Sequence, residues 1–311
     1  VTNFVLQPPA DGAALAVEAW AINGAGVRLK RHSSHLLSVS YDDMRWIYCG
    51  GIRAGPGPVY GQTNQGLRRM QSILLQAGSG FEHVVRTWFY LGGITESESG
   101  ITRYEGLNRG RADFYQLIHF GRSLPVRNGT QSVYPASTGI GTHGSELVTS
   151  CVALETERKD ISLVPLENPQ QTSAYAYDAR YSRQSPRFSR GMALVTDNYV
   201  TTWISGTASI VNSESRYIGD IQAQTEQTIQ NIERLISPEN FTRHGIRRAG
   251  ATLNDLTKIR VYLKRPQDFA LCRSVCEKRF GSVPSIYVVA DICRPELLVE
   301  IEGVAFSNRL V

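Results

Sequence analysis

A chain of 311 residues has room for two domains of roughly 150 residues, each burying its own core. With 41% hydrophobic and 20% charged residues, and with 28 Gly and 13 Pro spread through ordinary segments, the composition is neither disordered nor fibrous. The formal charge of +5 raises nucleic acid as a partner but comes without a basic block to hold one, no apolar run approaches the roughly 18 residues of a membrane span, and residues 1–11 lack a signal-peptide pattern, so a cytoplasmic protein with neither nucleic-acid nor membrane partners is expected.

In chain order, a polar turn at Asp42 and Asp43 leads into Trp46, Ile47 and Tyr48 and stops at Gly50 and Gly51, the pattern of a hairpin strand. Leu67, Met70, Leu74 and Ala77 then recur at helical spacing. A strand over 84–91, a second helix around 104–119 and a closing strand over 147–155 follow. One domain length later the order returns: Asp197 and Asn198 precede an aromatic run ending at Gly206, Ile221, Thr225, Ile229, Ile232 and Ile236 keep helical spacing, and a strand over 256–263, a helix around 266–280 and a strand over 298–305 complete it. The chain is therefore an internal repeat, expected as an α/β (α+β) protein of two sheet-and-helix units whose uncovered sheet faces pack inward with helices outside. The boundaries read as 1–163, a linker over 164–190 rich in Pro, Gln, Ser, Tyr and Arg, and 191–311. Linker residues Tyr175, Tyr177, Arg180, Tyr181 and Arg183 either face the cleft between units or pack on a domain surface.

Five cysteines, Cys49, Cys151, Cys272, Cys276 and Cys293, are too few and too scattered for a zinc site, so reduced and mostly buried thiols are expected, with no metal and no cofactor. The densest chemistry lies at the end of the chain. Residues two apart on a strand share a face, so Glu300 and Glu302 point one way and Val299 and Ile301 the other. Two carboxylates on one face repel unless cations neutralise them or one keeps a proton, and the second outcome makes a general acid. Arg294, fixed ahead of Pro295, offers a bidentate fork for a carboxylate or an ion pair to Glu296 or Glu302. Cys293 reads either as a small buried residue or as a thiol at the site. The first repeat has neither an Arg-Pro pair nor paired glutamates at its equivalent end, so an asymmetric site is expected. What distinguishes it is a loop of small and hydroxyl-bearing residues from Arg127 through Tyr134 to Gly141, suited to presenting N–H groups to an anion, and Arg111 in the helix before it.

The terminal Arg-Pro segment with Val-Glu-Ile-Glu resembles the Rid/YjgF proteins, small (chorismate-mutase-like) α/β units that bind carboxylates through an arginine there. Two such units in tandem, together with residues 106–115, 134–141 and 293–302, resemble the chorismatase family from about residue 28 onward. That resemblance implies chorismate as substrate, pyruvate as one product, a site associated with the second unit, and a homotrimer or pseudo-trimeric packing. A cysteine at the position of Cys293 resembles the 3-hydroxybenzoate-forming pattern rather than the hydrolytic one, which yields a dihydroxycyclohexadiene carboxylate. On this reading Glu300 is the acid, Glu302 supports it or positions water, and Arg294 is the first carboxylate anchor. Arg127, Arg111 or Arg183 is the second, and Tyr134, Tyr181 and Gly206 complete the binding set. A non-catalytic Rid-like carboxylate binder, an imine deaminase and an RNA-binding protein are the competing classes.

Overall fold

The computed structural model describes residues 1–121, 126, 133–177 and 184–309. In the first unit β1 (Arg28–Ser33), β2 (Leu36–Tyr41) and β3 (Met44–Arg53) form a meander. The tight turn between β2 and β3 places Asp42 and Asp43 at φ of 51° and 53°, the left-handed pair that a two-residue hairpin with matching twist requires. Helix α1 (Val59–Leu75), β4 (Val84–Gly92), the short pair β5 (Ser97–Glu98) and β6 (Ile101–Thr102), helix α2 (Arg103–Tyr115), β7 (Ala136–Thr142) and β8 (Leu147–Thr156) complete it. Thr102 caps α2 by accepting from the Glu105 N–H, and the Glu105 carboxylate accepts from the Thr102 N–H, a reciprocal box that fixes where the helix begins.

The second unit runs β9 (Ser162–Leu166), β10 (Gly191–Val195), β11 (Tyr199–Ala208), the pair β12 (Ile210–Val211) and β13 (Glu214–Ser215), α3 (Ile221–Ile236), α4 (Pro238–Arg243), β14 (Leu256–Leu263), α5 (Phe269–Phe280), β15 (Ser285–Val289) and β16 (Val299–Asn308). The sheets have the orders β1-β2-β3-β8-β4-β7 and β9-β10-β11-β16-β14-β15, the same connectivity twice. In each, one parallel pair, β4 with β7 or β14 with β15, is joined through a crossover helix.

One face of each sheet is covered by its own helices. Ile229, Ile232 and Ile236 of α3 pack with Val261, Val299 and Ile301, each such side chain stabilising by about 1.5–3 kcal/mol when fully buried. The other faces meet, with Trp46, Val85 and Leu154 of the first unit against Met192, Leu194, Trp203 and Val304 of the second, and the rings of Trp46 and Trp203 5.4 Å apart. The expected inward sheets and outward helices are thus present.

The second sheet starts earlier than the sequence reading places it. Residues 162–166 pair along β10 and are all buried, so part of the stretch assigned to the first unit and to the linker is an edge strand. Pro165 hid it, because proline reads as linker punctuation yet is tolerated at a sheet edge, where no inter-strand donor is needed on the outer side. The second helices are shorter than their patterns, α2 ending at Tyr115 and α5 starting after a 3₁₀ turn at Pro266–Asp268.

An arm ahead of β1 crosses from one unit to the other. Asn3 donates to Ser150 Oγ at 3.1 Å, Leu6 C=O accepts from the His143 N–H at 2.9 Å, and Gln7 donates to the Gly141 carbonyl at 2.6 Å. It then reaches β15, where Pro8 C=O accepts from the Val289 N–H at 2.7 Å and the Ala10 N–H donates to Tyr287 C=O at 2.9 Å. Among the described residues no helix is long and apolar enough to cross a membrane.

Candidate active site

The two glutamates of β16 face the first unit, as strand alternation requires, but their surroundings differ. Glu302 lies opposite Arg260 of β14 and is held on both oxygens: Arg260 Nη1 donates to Oε1 at 2.9 Å and Arg86 Nη2 to Oε2 at 2.7 Å. The Trp88 indole N–H, at 3.0 Å, and the Thr138 hydroxyl also donate to it. Burial works to raise this carboxyl, and the charges of Arg260, Arg86 and Lys258 with the Thr138 bond outweigh it, leaving Glu302 below the ordinary glutamate range. Glu300, opposite Tyr262 and Ala208, is 4% exposed and has no such clamp among the described residues. Burial, and then the charge of Glu302, push it up to about 8, against the weaker pull of Arg86 and Arg190. The pair is therefore split into a fixed anion and a carboxyl that keeps its proton at neutral pH.

Room for Glu300 comes from Gly206. The pairing of β11 with β16 shifts between Ile204 and Thr207, and a Cβ on Gly206 would fall 2.0 Å from Glu300 Oε1. The Gly206 N–H donates to Thr138 Oγ1 at 3.0 Å, and Ser137 N–H donates to Ser205 Oγ at 2.9 Å, so β7 of the first unit is stitched to β11 of the second beside the carboxyls.

Glu300 looks into a cavity of about 270 Å³ between the units, which Arg111, Arg190, Arg294, Cys293, Tyr104 and Tyr177 also line. Arg111 projects from the buried face of α2, donates to Asn108 Oδ1 at 2.8 Å and to Ser137 Oγ at 3.3 Å, and lies against the rings of Phe89 and Phe188. Arg190 donates to the Thr172 carbonyl at 3.0 Å and to the Tyr177 hydroxyl. Among the described residues the buried Nε atoms of both arginines have no hydrogen-bond partner, an arrangement suited to an incoming anion. Arg294 donates to the Ser213 carbonyl at 2.8 Å and to Ser215 Oγ at 3.3 Å and stands over the Tyr177 ring. Glu302, one of its two candidate ion-pair partners, is taken by Arg86 and Arg260, and the other, Glu296, accepts from Ser215 Oγ at 2.6 Å. Burial, followed by the charge of Glu300, pushes the Cys293 thiol up to about 12, so it is a neutral S–H group, not a nucleophilic thiolate.

Of the residues singled out in the sequence, Glu300, Cys293, Arg294, Arg111 and Gly206 meet at this cavity, with Glu302 directly behind. Tyr134 does not line it: its ring stacks on Tyr115 at 6.3 Å and packs against Phe120 and Tyr175. Arg127, Arg180, Tyr181 and Arg183 lie outside the described residues. Sequence reasoning missed Arg86, Trp88 and Arg260, which grip Glu302, and Arg190. A charge inside each of two apolar strands, Arg86 in β4 and Arg260 in β14, was the available signal; Arg190, between linker and strand, gave none. Among the described residues no group of His, Cys, Asp or Glu is placed to hold a metal.

Residues 18–153 match the family model described as "Chorismatase FkbO/Hyg5-like, N-terminal", and residues 183–307 match "Endoribonuclease L-PSP". A 3-hydroxybenzoate synthase of Streptomyces hygroscopicus is 32% identical over 268 residues, 84% of this chain and 74% of that protein. The chain belongs to the chorismatase family. A chorismatase of Streptomyces rapamycinicus is 35% identical over 231 residues, 72% of this chain and 64% of its own. The crystal structure of a chorismatase superposes with a TM-score of 0.72 at 26% identity, covering 88% of this chain and 78% of that one. Chorismatase membership accounts for the tandem architecture from β1 to β16.

Proposed function

We propose that this protein converts chorismate to 3-hydroxybenzoate and pyruvate. The observation that carries the reading is the split of two adjacent carboxyls, Glu302 clamped as an anion and Glu300 kept protonated at the wall of an arginine-lined cavity. Chorismate bears two carboxylates, a ring hydroxyl and an enol ether. Arg294 takes one carboxylate, and Arg190 with Arg111, each with an unused Nε donor, takes the other. Glu300 delivers its proton to the terminal methylene of the enolpyruvyl group, creating an oxocarbenium ion at the ether carbon. The resulting Glu300 carboxylate and the fixed Glu302 anion lower the energy of that cation. The substrate's own ring hydroxyl then attacks the neighbouring ring carbon, breaking its bond to the ether oxygen so that pyruvate leaves and the hydroxyl proton returns to Glu300. The resulting epoxide opens and isomerises to the phenol without gain or loss of water; attack by water at the ether carbon would give the diene-diol instead. The two products together contain the atoms of chorismate, so the conversion needs no external oxidant or reductant.

Incubating the purified protein with chorismate and measuring pyruvate and ring products together tests this. Equal amounts of pyruvate and 3-hydroxybenzoate are expected; binding without turnover would leave a carboxylate-binding protein instead. The neutral Cys293 thiol occupies the wall beside Glu300, where it excludes the water of simple hydrolysis. Cys293→Ala should therefore divert product toward the dihydroxycyclohexadiene carboxylate, and an active variant with an unchanged aromatic product would take Cys293 out of the chemistry.

A further inference from the structure

The arm ends its crossing at an ion-pair chain that runs to the proton donor's neighbour. Arg260 uses one edge of its guanidinium on Glu18: Nε donates to Oε2 at 2.6 Å and Nη2 to Oε1 at 2.9 Å. Its remaining nitrogen, Nη1, donates to Glu302 at 2.9 Å and to the Tyr90 hydroxyl at 3.2 Å. Lys258, two residues earlier on the same face of β14, also pairs with Glu18. The Trp20 indole donates to Glu18 at 2.9 Å while its ring lies 4.8 Å from the Lys258 ammonium. One arm carboxylate thus bridges two like charges that would otherwise repel each other, and fixes one fork of the arginine whose other side grips Glu302.

We propose that Glu18 is a positioning residue for catalysis, holding Arg260 against Glu302 so that Glu302 stays clamped on both oxygens beside Glu300. This rests on the chorismatase reading of the site. Without Glu18 the Arg260 fork has no anionic partner on its outer edge. Its side chain is 21% exposed, so it turns toward water and away from Glu302. The charged and titratable groups facing Glu302 are then Arg86 and Tyr90 from β4, Lys258 and Tyr262 from β14, and Glu300 on its own strand. Arg86 alone remains in direct contact as a cation. Loss of an adjacent cation raises a carboxyl's titration midpoint by about one pH unit or more.

The test is the pH dependence of chorismate turnover by the full chain, wild type against Glu18→Ala. The acid limb of kcat, set by Glu302 losing its charge, should move up by about one pH unit, with KM at the plateau little changed and the far-ultraviolet circular dichroism retained. Arg260→Gln should move the limb alike, and the double variant should move it no further, since both remove one link. Infrared titration of the Glu302 carboxyl, assigned by the band lost in Glu302→Gln, reads the same shift without substrate. A wild type that does not turn over chorismate therefore sinks the functional reading while the infrared arm still decides this one. A limb and a carboxyl midpoint that stay put or move down in Glu18→Ala, or shifts that add in the double variant, would overturn the role of Glu18.

Discussion

The two closing strands occupy the same rungs of their sheets and carry opposite chemistry. In the first unit Tyr90 and Trp88 of β4 pair with Val148 and Ser150 of β8; in the second, Tyr262 and Arg260 of β14 pair with Glu300 and Glu302 of β16. The same shift in pairing that brings Gly206 beside Glu300 brings Gly51 to the corresponding place in β3. There the arm fills the space: Asn3 donates to Ser150 and accepts from the Gly51 N–H. One backbone plan therefore serves twice, once plugged by a neutral amide and once left open around a protonated carboxyl. The fold supplies the bulge and the strand face, and whether they become a site depends on two side chains.

That contrast is broken most severely by Glu300→Gln, which keeps the shape and removes the transferable proton. Turnover should fall about 10³-fold or more, while chorismate still binds. Near-normal turnover there, with Glu302→Gln inactive, would place the acid two residues further along. Arg294→Ala should weaken substrate binding by about 2–5 kcal/mol, and Arg294→Lys should recover part of it because the fork is lost; titration calorimetry with chorismate measures both. The two bulge glycines sharpen the comparison. Gly206→Ala forces Glu300 aside and should cost about 10²-fold in kcat. Gly51→Ala, at φ +68°, should cost about 1 kcal/mol of stability and leave kcat within a few-fold.

A separate effect is one of stability against pH. When unfolded, Glu300 titrates near 4.5, and when folded near 8, so between those values the folded chain holds a proton that the unfolded chain has released. The contribution is complete below the unfolded value and is lost as pH rises through the folded one. At about 1.4 kcal/mol per unit, wild type should lose roughly 3–5 kcal/mol relative to Glu300→Gln between pH 4.5 and 8. Urea unfolding of both proteins at the two ends of that range reads the difference; equal slopes would show that Glu300 titrates normally.

Much of this was legible beforehand, for reasons that can be named. The repeat showed because helical spacing at Leu67, Met70 and Leu74 and at Ile221, Ile229 and Ile236 reports local packing against a sheet, and the same order recurs. Glu300 and Glu302 stood out because strand alternation alone puts both on one face. Which of them keeps the proton did not, since that depends on Arg86, distant in sequence, and on Arg260 across the ladder. Arg190 was invisible for a similar reason: its place in the cavity follows from contacts with Thr172 and Tyr177 that no periodicity encodes. Arg294 was seen, but its bonds to the Ser213 carbonyl and Ser215 Oγ and its place over the Tyr177 ring come from elements that strand alternation does not report.

The crossing of the arm over β15 has a consequence for how the chain behaves in concentrated solution. A parallel edge strand such as β15 would offer its outer donors and acceptors to any other extended chain. The arm takes them at Tyr287 and Val289, and the residue bridging between these contacts is Pro9, opposite Val288. Proline has no N–H to extend the ladder, and the Pro9 carbonyl is turned back toward the Gly12 N–H at 3.4 Å. The sheet is thereby stopped by a strand that cannot itself be joined, so the edge beside the segment that carries Cys293 and Arg294 is closed to the edge-to-edge association that leads to aggregates.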